Sequence, residues 1–399
     1  MESLITEPEF CPNRVCRFHS REVAGDYQWY HPHGKFFTQC RGWIQRFRCV
    51  ECGKTCSTQT FSVHYWTHYT NDLGWLAERL YGCGGLRQTG RYGSVTYRVI
   101  QNRTRRLARN ALSVMDLALS ELCLGEDVAM DGFESYTRSQ YHPNNITHLV
   151  GSESQFIYGA IHTLFRRKGS MTGTQKRTRA LIDLAWTPPT GIKEDTTVLL
   201  TDMSKPIAAG CEKRGKVCLS SDEHHAYGPA LRAVDALKKE LDSGRLVHRT
   251  VSSRAARTRS NPLFAVNYAD RQMRKNMAEH VRETVRQGRE VNCQMERMAL
   301  FIVMHNFLTP HRIPDTARIG GCATHAGMAG IASEELRRRV HRMTTHRHVS
   351  SHNTSGAQWI ERIWHHQYDN PPVVRLRKGR LQVRPVALGP GMLPAYLLA

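Results

Sequence analysis

Hydrophobic positions change their period along this chain. Through residues 1–66 the apolar and aromatic residues come in short strand-like runs such as RFRC, with little helical spacing. From Thr70 the spacing turns helical in three runs: NDLGWLAERLYGCG, GLRQTGRYG and SVTYRVIQNRTRRLARNALSVM. Asn71 and Ser94 are the expected N-caps of the first and third, and Gly82, Gly84 and Gly93 separate the runs. Residues 126–220 then alternate short apolar strands with loops: VAMD, HLVGSE, QFIYGAIHTLF, TVLLTD and KVCLSS. Helical spacing returns in AYGPALRAVDALKKELDSG, which stops at Gly244, and again in NYADRQMRKNMAEHVRETVRQG and VNCQMERMALFIVMHNFL. After Pro310 the pattern gives way to a basic, His-rich, proline-interrupted stretch. These elements predict a multi-domain α/β chain with units at 1–66, 67–118 and 119–318 and an extension at 319–399.

Charge narrows the class of partner. The 399 residues carry 56 Lys and Arg against 35 Asp and Glu, a formal charge of +21, which favours a polyanion and nucleic acid first. No apolar run is long enough to cross a bilayer, and MESLITEPEF has neither the basic nor the apolar region of a signal peptide. The expectation is a cytoplasmic, nucleoid-associated protein with no membrane partner. The basic segment LFRRKGSMTGTQKRTRALI is expected to be an exposed loop, and HRTVSSRAARTRSNP, which has no acid, a linker. Their cores, 166–179 and 248–262, are candidate phosphate contacts.

The twelve cysteines suggest thiols and metal ligation rather than a disulfide framework. Cys11 and Cys16 form one pair, and Cys49 and Cys52 form a CxxC followed by Gly53, whose freedom suits the left-handed turn of a zinc knuckle. Four thiolates leave no open position, so the zinc would be structural. Cys40, Cys56, His31 and His33 stand near enough in sequence to be alternative ligands.

Between Gly84 and Met115 there is no acid, while arginines recur. The three helical runs with glycine-bearing turns predict a helix-turn-helix, with double-stranded DNA as its partner. Its candidate DNA contacts are Arg87, Arg91, Arg98, Gln101, Arg103 and Arg106, in the chemistry of guanidinium and amide with phosphate and base edges.

Two strand-like runs end on an aspartate, VAMDGFES at Asp131 and KVCLSSDEHHAY at Asp222. Asp202 in VLLTDM obeys the same rule and is a rival for the second position, and Glu126, Asp127 and Glu134 crowd the first. Glu296 lies in the most apolar helix pattern, where a charged acid needs a compensating cation. Converging carboxylates of this kind hold hard divalent cations such as Mg²⁺.

The order of zinc ribbon, helix-turn-helix and acidic residues resembles the DDE transposases of bacterial insertion sequences, closest to the zinc-ribbon-bearing group. The likeness rests on IQRFRCVECGKTCSTQTFS, the helix-turn-helix span, VAMDGFES, CLSSDEHHAYGPAL and the block SNPLFAVNYADRQMRKNMAEHVRETVRQGREVNCQMERMALFIV. It departs from the group's pattern in reading DGFE after the first acid and in the long insert between Cys16 and Cys49. The resemblance implies a ribonuclease H-like mixed-sheet catalytic domain with Asp131, Asp222 and Glu296 as its three catalytic acids. They would hold two Mg²⁺ (or Mn²⁺) ions for strand cleavage and strand transfer. It further implies transposon-end and target DNA as substrates, and a homo-oligomer, because two ends must be joined. The alternatives are a zinc-ribbon and helix-turn-helix transcription regulator with an inactive ribonuclease H-like domain, and a nuclease of that fold without strand transfer.

Overall fold

A computed structural model describes residues 7–13, 15–19, 21–65, 67–120, 122–281, 284–312, 323–331, 333–347, 373–377 and 380–384. Most of the predicted extension 319–399 therefore lies outside the described residues.

The N-terminal unit consists of a short helix α1 (Arg21–Gly25) and three antiparallel strands, β1 (Tyr30–Thr38), β2 (Gly42–Cys49) and β3 (Thr55–Ser57), in the order β1-β2-β3. Phe10, Phe18, Trp29, Phe47 and Phe61 pack around buried cysteines in a small core of its own. Few side chains are available to build it, so the cysteine cluster at its centre carries unusual weight.

Three helices follow: α2 (Leu73–Tyr81), α3 (Leu86–Tyr92) and α4 (Tyr97–Ser120). Asp72 caps α2, accepting from the Trp75 N–H at 2.9 Å, one residue beyond the expected Asn71. Ser94 is no cap either; it sits in the turn before α4 with φ of 52°. α4 departs most from expectation. Ile100, Leu107, Ala108, Ala111 and Val114 are buried in the same core that backs the main sheet, so most of this helix is internal.

The remaining elements are β4 (Val128–Tyr136), β5 (Pro143–Gly151), β6 (Ile157–Leu164), α5 (Gly173–Ala185), α6 (Ile192–Arg214), β7 (Val217–Ser221), α7 (Tyr227–Arg232), α8 (Asp235–Asp242), β8 (Leu246–Thr250), α9 (Phe264–Asn276) and α10 (Val291–Val303). A π turn, Met304–Leu308, continues α10. Then come α11 (His325–Met328), α12 (Glu334–Arg342) and a hairpin of β9 (Val373–Arg377) and β10 (Arg380–Arg384).

The five-stranded sheet has the order β6-β5-β4-β7-β8. β4, β5 and β6 are antiparallel, whereas β4, β7 and β8 run parallel, so the sheet is mixed. Strand alternation sends Met130 and Asp131 to opposite faces. α6 covers one face, where Leu199 meets Gly159, and α9 covers the other, where Asp270 meets His148.

Four expectations about elements fail here. TVLLTD is the middle of α6, whose buried positions Leu199, Leu200, Met203 and Ile207 follow helical spacing, and Asp202 is therefore a helix residue. The supposed loop 166–179 becomes α5 from Gly173, with a capping box between Thr172 and Gln175. The supposed linker 248–262 begins as β8, and the helix from Asn267 stops at Asn276.

The entry to β4 is fixed by one buried carboxylate. Glu126 accepts from the N–H groups of Glu153 and Ser154 at 2.8 and 2.9 Å, from the Tyr158 hydroxyl at 2.8 Å and from the Ser154 hydroxyl. It thereby ties the β5–β6 turn to the start of the central strand. Glu126→Ala strands several buried donors and is expected to cost at least about 3 kcal/mol, readable by urea denaturation.

Candidate functional site

The four cysteines predicted as zinc ligands come together. Their sulfur atoms all lie within 4.8 Å of one another, with Cys11 and Cys52 at 3.6 Å and Cys16 and Cys49 at 3.8 Å. Zinc–sulfur bonds of about 2.3 Å in a tetrahedron set sulfurs about 3.8 Å apart, so the cluster fits the ion. Gly53 adopts φ of 65°, and its N–H donates to the Cys49 carbonyl, closing the knuckle. The alternative ligands are outside the four-sulfur group. Cys40, His31 and His33 are exposed, and Cys56 is a buried hydrophobe whose thiol is pushed up to about 12, first by burial.

The predicted carboxylates divide between two places. β4 and β7 pair with Met130 opposite Ser221, so the next residues, Asp131 and Asp222, are neighbours across a parallel pair. Asp222 immediately follows the last residue of β7, whereas β4 runs on five residues beyond Asp131. Each aspartate spends one oxygen locally. Asp131 Oδ1 accepts from the Gly132 N–H at 2.7 Å, and Asp222 Oδ1 from the His224 N–H at 2.9 Å. At Gly132 a Cβ would run into the buried Asn145 side chain, which would have to shift to admit it.

The third acid beside this pair is Asp270 of α9, which the sequence reading did not weigh. Its Oδ1 lies 3.3 Å from Nε2 of His148, and His148 is the β5 register partner of Asp131. Tyr227 is buried against Asp131 and Asp222, with Thr147 and Asn145 bonding its hydroxyl. Burial, then the charge of Asp222, pushes Asp131 up to about 6, and Asp270 adds to the rise. Burial likewise raises Asp270, against the opposing pull of His148, Arg274 and Arg257. Asp131 and Asp222 repel one another, and among the described residues the ligand atoms of the four cysteines, not those of these acids, gather within 4.8 Å of one another.

Glu296 is held elsewhere. It is 1% exposed, and its Oε1 accepts from Nε of Arg105 on α4 at 3.0 Å. The groups acting on it are Arg105, Arg109 and Glu290, with burial pushing it up to about 8. The cation that burial demanded is a guanidinium from the helical unit.

The arginine-rich helices also divide. Arg87, Arg91 and Arg98 are exposed. Arg103 is buried, and donates to the Tyr69 carbonyl and Asn71 Oδ1. Arg106 donates to the Val63 carbonyl and to Asn102, and Gln101 donates to Sγ of Cys293 at 3.0 Å. These three spend hydrogen bonds on the protein itself, and Gln101 and Arg106 are half-buried.

Comparison with protein-family models, with curated proteins and with solved structures finds no match for the chain. Among the described residues, no helix is long and apolar enough to cross a membrane.

Two outcomes follow from this geometry. Metal analysis should find one zinc per chain, and Cys49→Ser should release it and open residues 7–65 to protease. Because Asp131 titrates above its ordinary value, the metal-free fold loses stability as pH rises from 3.8 to about 6, and above that the charged, unrelieved carboxylate carries the full penalty. Mg²⁺ should therefore raise the melting temperature at about pH 7.5 and leave it unchanged at about pH 5, which paired thermal melts can check.

Proposed function

We propose that this chain is a DDE-type DNA transposase that binds transposon-end DNA and catalyses metal-dependent strand cleavage and strand transfer. The observation that carries the reading is the approach of Asp131 on β4 to Asp222 just past the end of its parallel neighbour β7, with Asp270 of α9 set against His148, the register partner of Asp131. A sheet of three antiparallel strands continued by two parallel ones, with acids on its central pair, is consistent with a ribonuclease H-like catalytic domain. In this reading Asp270 takes the third position that the resemblance gave to Glu296.

Asp131, Asp222 and Asp270 would hold the Mg²⁺ or Mn²⁺ ions. Bound there, two such ions supply an activated water or 3′-hydroxyl and stabilise the leaving oxygen of an in-line displacement. The chain's own residues orient the acids. Gly132 and His224 each fix one carboxylate oxygen through a backbone N–H, and His148 steadies Asp270. Asp131 must be ionised to serve, which sets the lower pH limit near 6. Lys168 and Arg257, whose charges reach His224 and Asp270, supply cations at the rim for the phosphodiester backbone. Arg87, Arg91 and Arg98 are the exposed arginines available to the DNA ends, and a homo-oligomer would bring two ends together.

Mg²⁺-dependent nicking and joining of end DNA tests the assignment. Asp131→Asn, Asp222→Asn and Asp270→Asn should each lose about a thousandfold or more, while Glu296→Gln keeps activity within about tenfold. An inactive Glu296→Gln beside an active Asp270→Asn would return the third position to Glu296. Cleavage with no joined product would reduce the reading to a nuclease. DNA affinity should fall steeply with salt, and Arg87→Ala with Arg98→Ala should make that slope shallower.

A further inference from the structure

The β1–β2 hairpin reaches past the zinc core, and only one face of its far end meets the segment 55–68, through Arg41. At the near end Phe47 and Cys49 turn inward, and at the far end Phe37 and Trp43, directly paired across the strands, remain 61% and 71% exposed. The two rings meet edge to face, 5.7 Å between centroids. The next register pair on the same face is Lys35 with Gln45, two residues along each strand. From Tyr27 to Val50 the chain contains no acid, while Lys35, Arg41, Arg46 and Arg48 all occur. Arg41 is tied to the His64 carbonyl and Thr67, and strand alternation sends Arg46, which donates to Thr55, and Arg48 to the opposite face, which leaves Lys35 as the cation beside the rings.

An exposed aromatic pair in an acid-free setting admits two occupants, another protein or a nucleic-acid strand. The outer edge of β1 argues against strand pairing with a second copy. Pro32 lacks an N–H, the register shifts between Pro32 and Lys35, and Lys35 projects charge from the edge. Two such hairpins would also set like charges against one another. Bases, by contrast, stack on exposed rings regardless of sequence while neighbouring cations take the phosphates. Paired bases in a duplex bury their faces, so the rings need an unpaired strand.

We propose that the β1–β2 hairpin is a stacking platform for unpaired nucleic-acid bases, with Phe37 and Trp43 taking the bases and Lys35 the adjoining phosphate. This inference rests on the nucleic-acid partner alone and does not depend on the metal site or on strand transfer.

The test uses the full zinc-loaded chain and a fluorescein-labelled oligo-dT of about twenty nucleotides, read by anisotropy. Phe37→Ala and Trp43→Ala should each weaken oligo-dT binding at least about fivefold, with Trp43→Phe restoring part of the loss. Blunt-duplex affinity and Mg²⁺-dependent nicking should stay within about twofold. Zinc content reports whether each variant still folds. Lys35→Ala, at an exposed position, gives a second readout through a shallower salt dependence for oligo-dT. Unchanged oligo-dT affinity, or an equal loss on duplex, overturns the proposal. A dimer that dissociates on Phe37→Ala/Trp43→Ala would assign the hairpin to self-association instead.

Discussion

A guanidinium taken out of water must be met by acceptors, and α4 carries several of them into the interior. Arg103 reaches the carbonyl of Tyr69, Arg106 that of Val63, and Arg105 the carboxylate of Glu296. On the same helix, Asn110 donates to the carbonyls of Met343 and His346. A single helix thereby binds the segment leaving the zinc cluster, the apolar helix α10 and the chain after α12. Losing one partner leaves a buried donor or charge uncompensated, so these contacts specify the arrangement more than they add net stability. The small N-terminal core and the main sheet are held in one molecule through this helix.

The same chemistry explains why the arginine-rich run misleads on inspection. An acid-free helix looks alike whether its cations face DNA phosphates or the carbonyls of its own chain. The distinguishing partners lie far away in sequence: Val63, Tyr69, Glu296. Only Arg87, Arg91 and Arg98, outside or at the first turn of α4, stay exposed. Glu296 carries a related lesson. Its apolar surroundings did demand a cation, but a cation can be a metal or an arginine, and local sequence cannot separate them. Asp270 had a legible signal that the reading passed over. It stands in the stripe Val266, Ala269, Asp270, Met273, where helical spacing calls for an apolar residue.

Strands with uninterrupted apolar character were readable: VAMD, HLVGSE, QFIYGAIHTLF and KVCLSS all fall in the main sheet. TVLLTD failed because a six-residue window rich in β-branched residues matches a buried strand. The stripe that identifies α6 extends from Thr196 to Cys211 and passes through Pro206. β8 was missed for the opposite reason. It is a short edge strand, LVHRT, polar at its end and specified by parallel pairing with β7 rather than by its own composition. The knuckle at Cys49–Gly53 was legible in full, because coordination chemistry dictates both the residue types and their spacing.

Charge also decides what the acidic site can accept. Asp131, Asp222 and Asp270 gather negative potential inside a chain whose net charge is +21. On the proposed reading, the overall field and cations such as Lys168 and Arg257 would draw a phosphodiester toward the sheet, yet the carboxylates would repel it at contact distance. A divalent cation reconciles the two, because it is attracted by the acids and presents positive charge to phosphate. The raised titration of Asp131 reflects burial first and the unrelieved charge of Asp222 second. On the proposed reading, metal and DNA therefore bind with positive coupling: each lowers the electrostatic cost of the other, and neither alone satisfies the site.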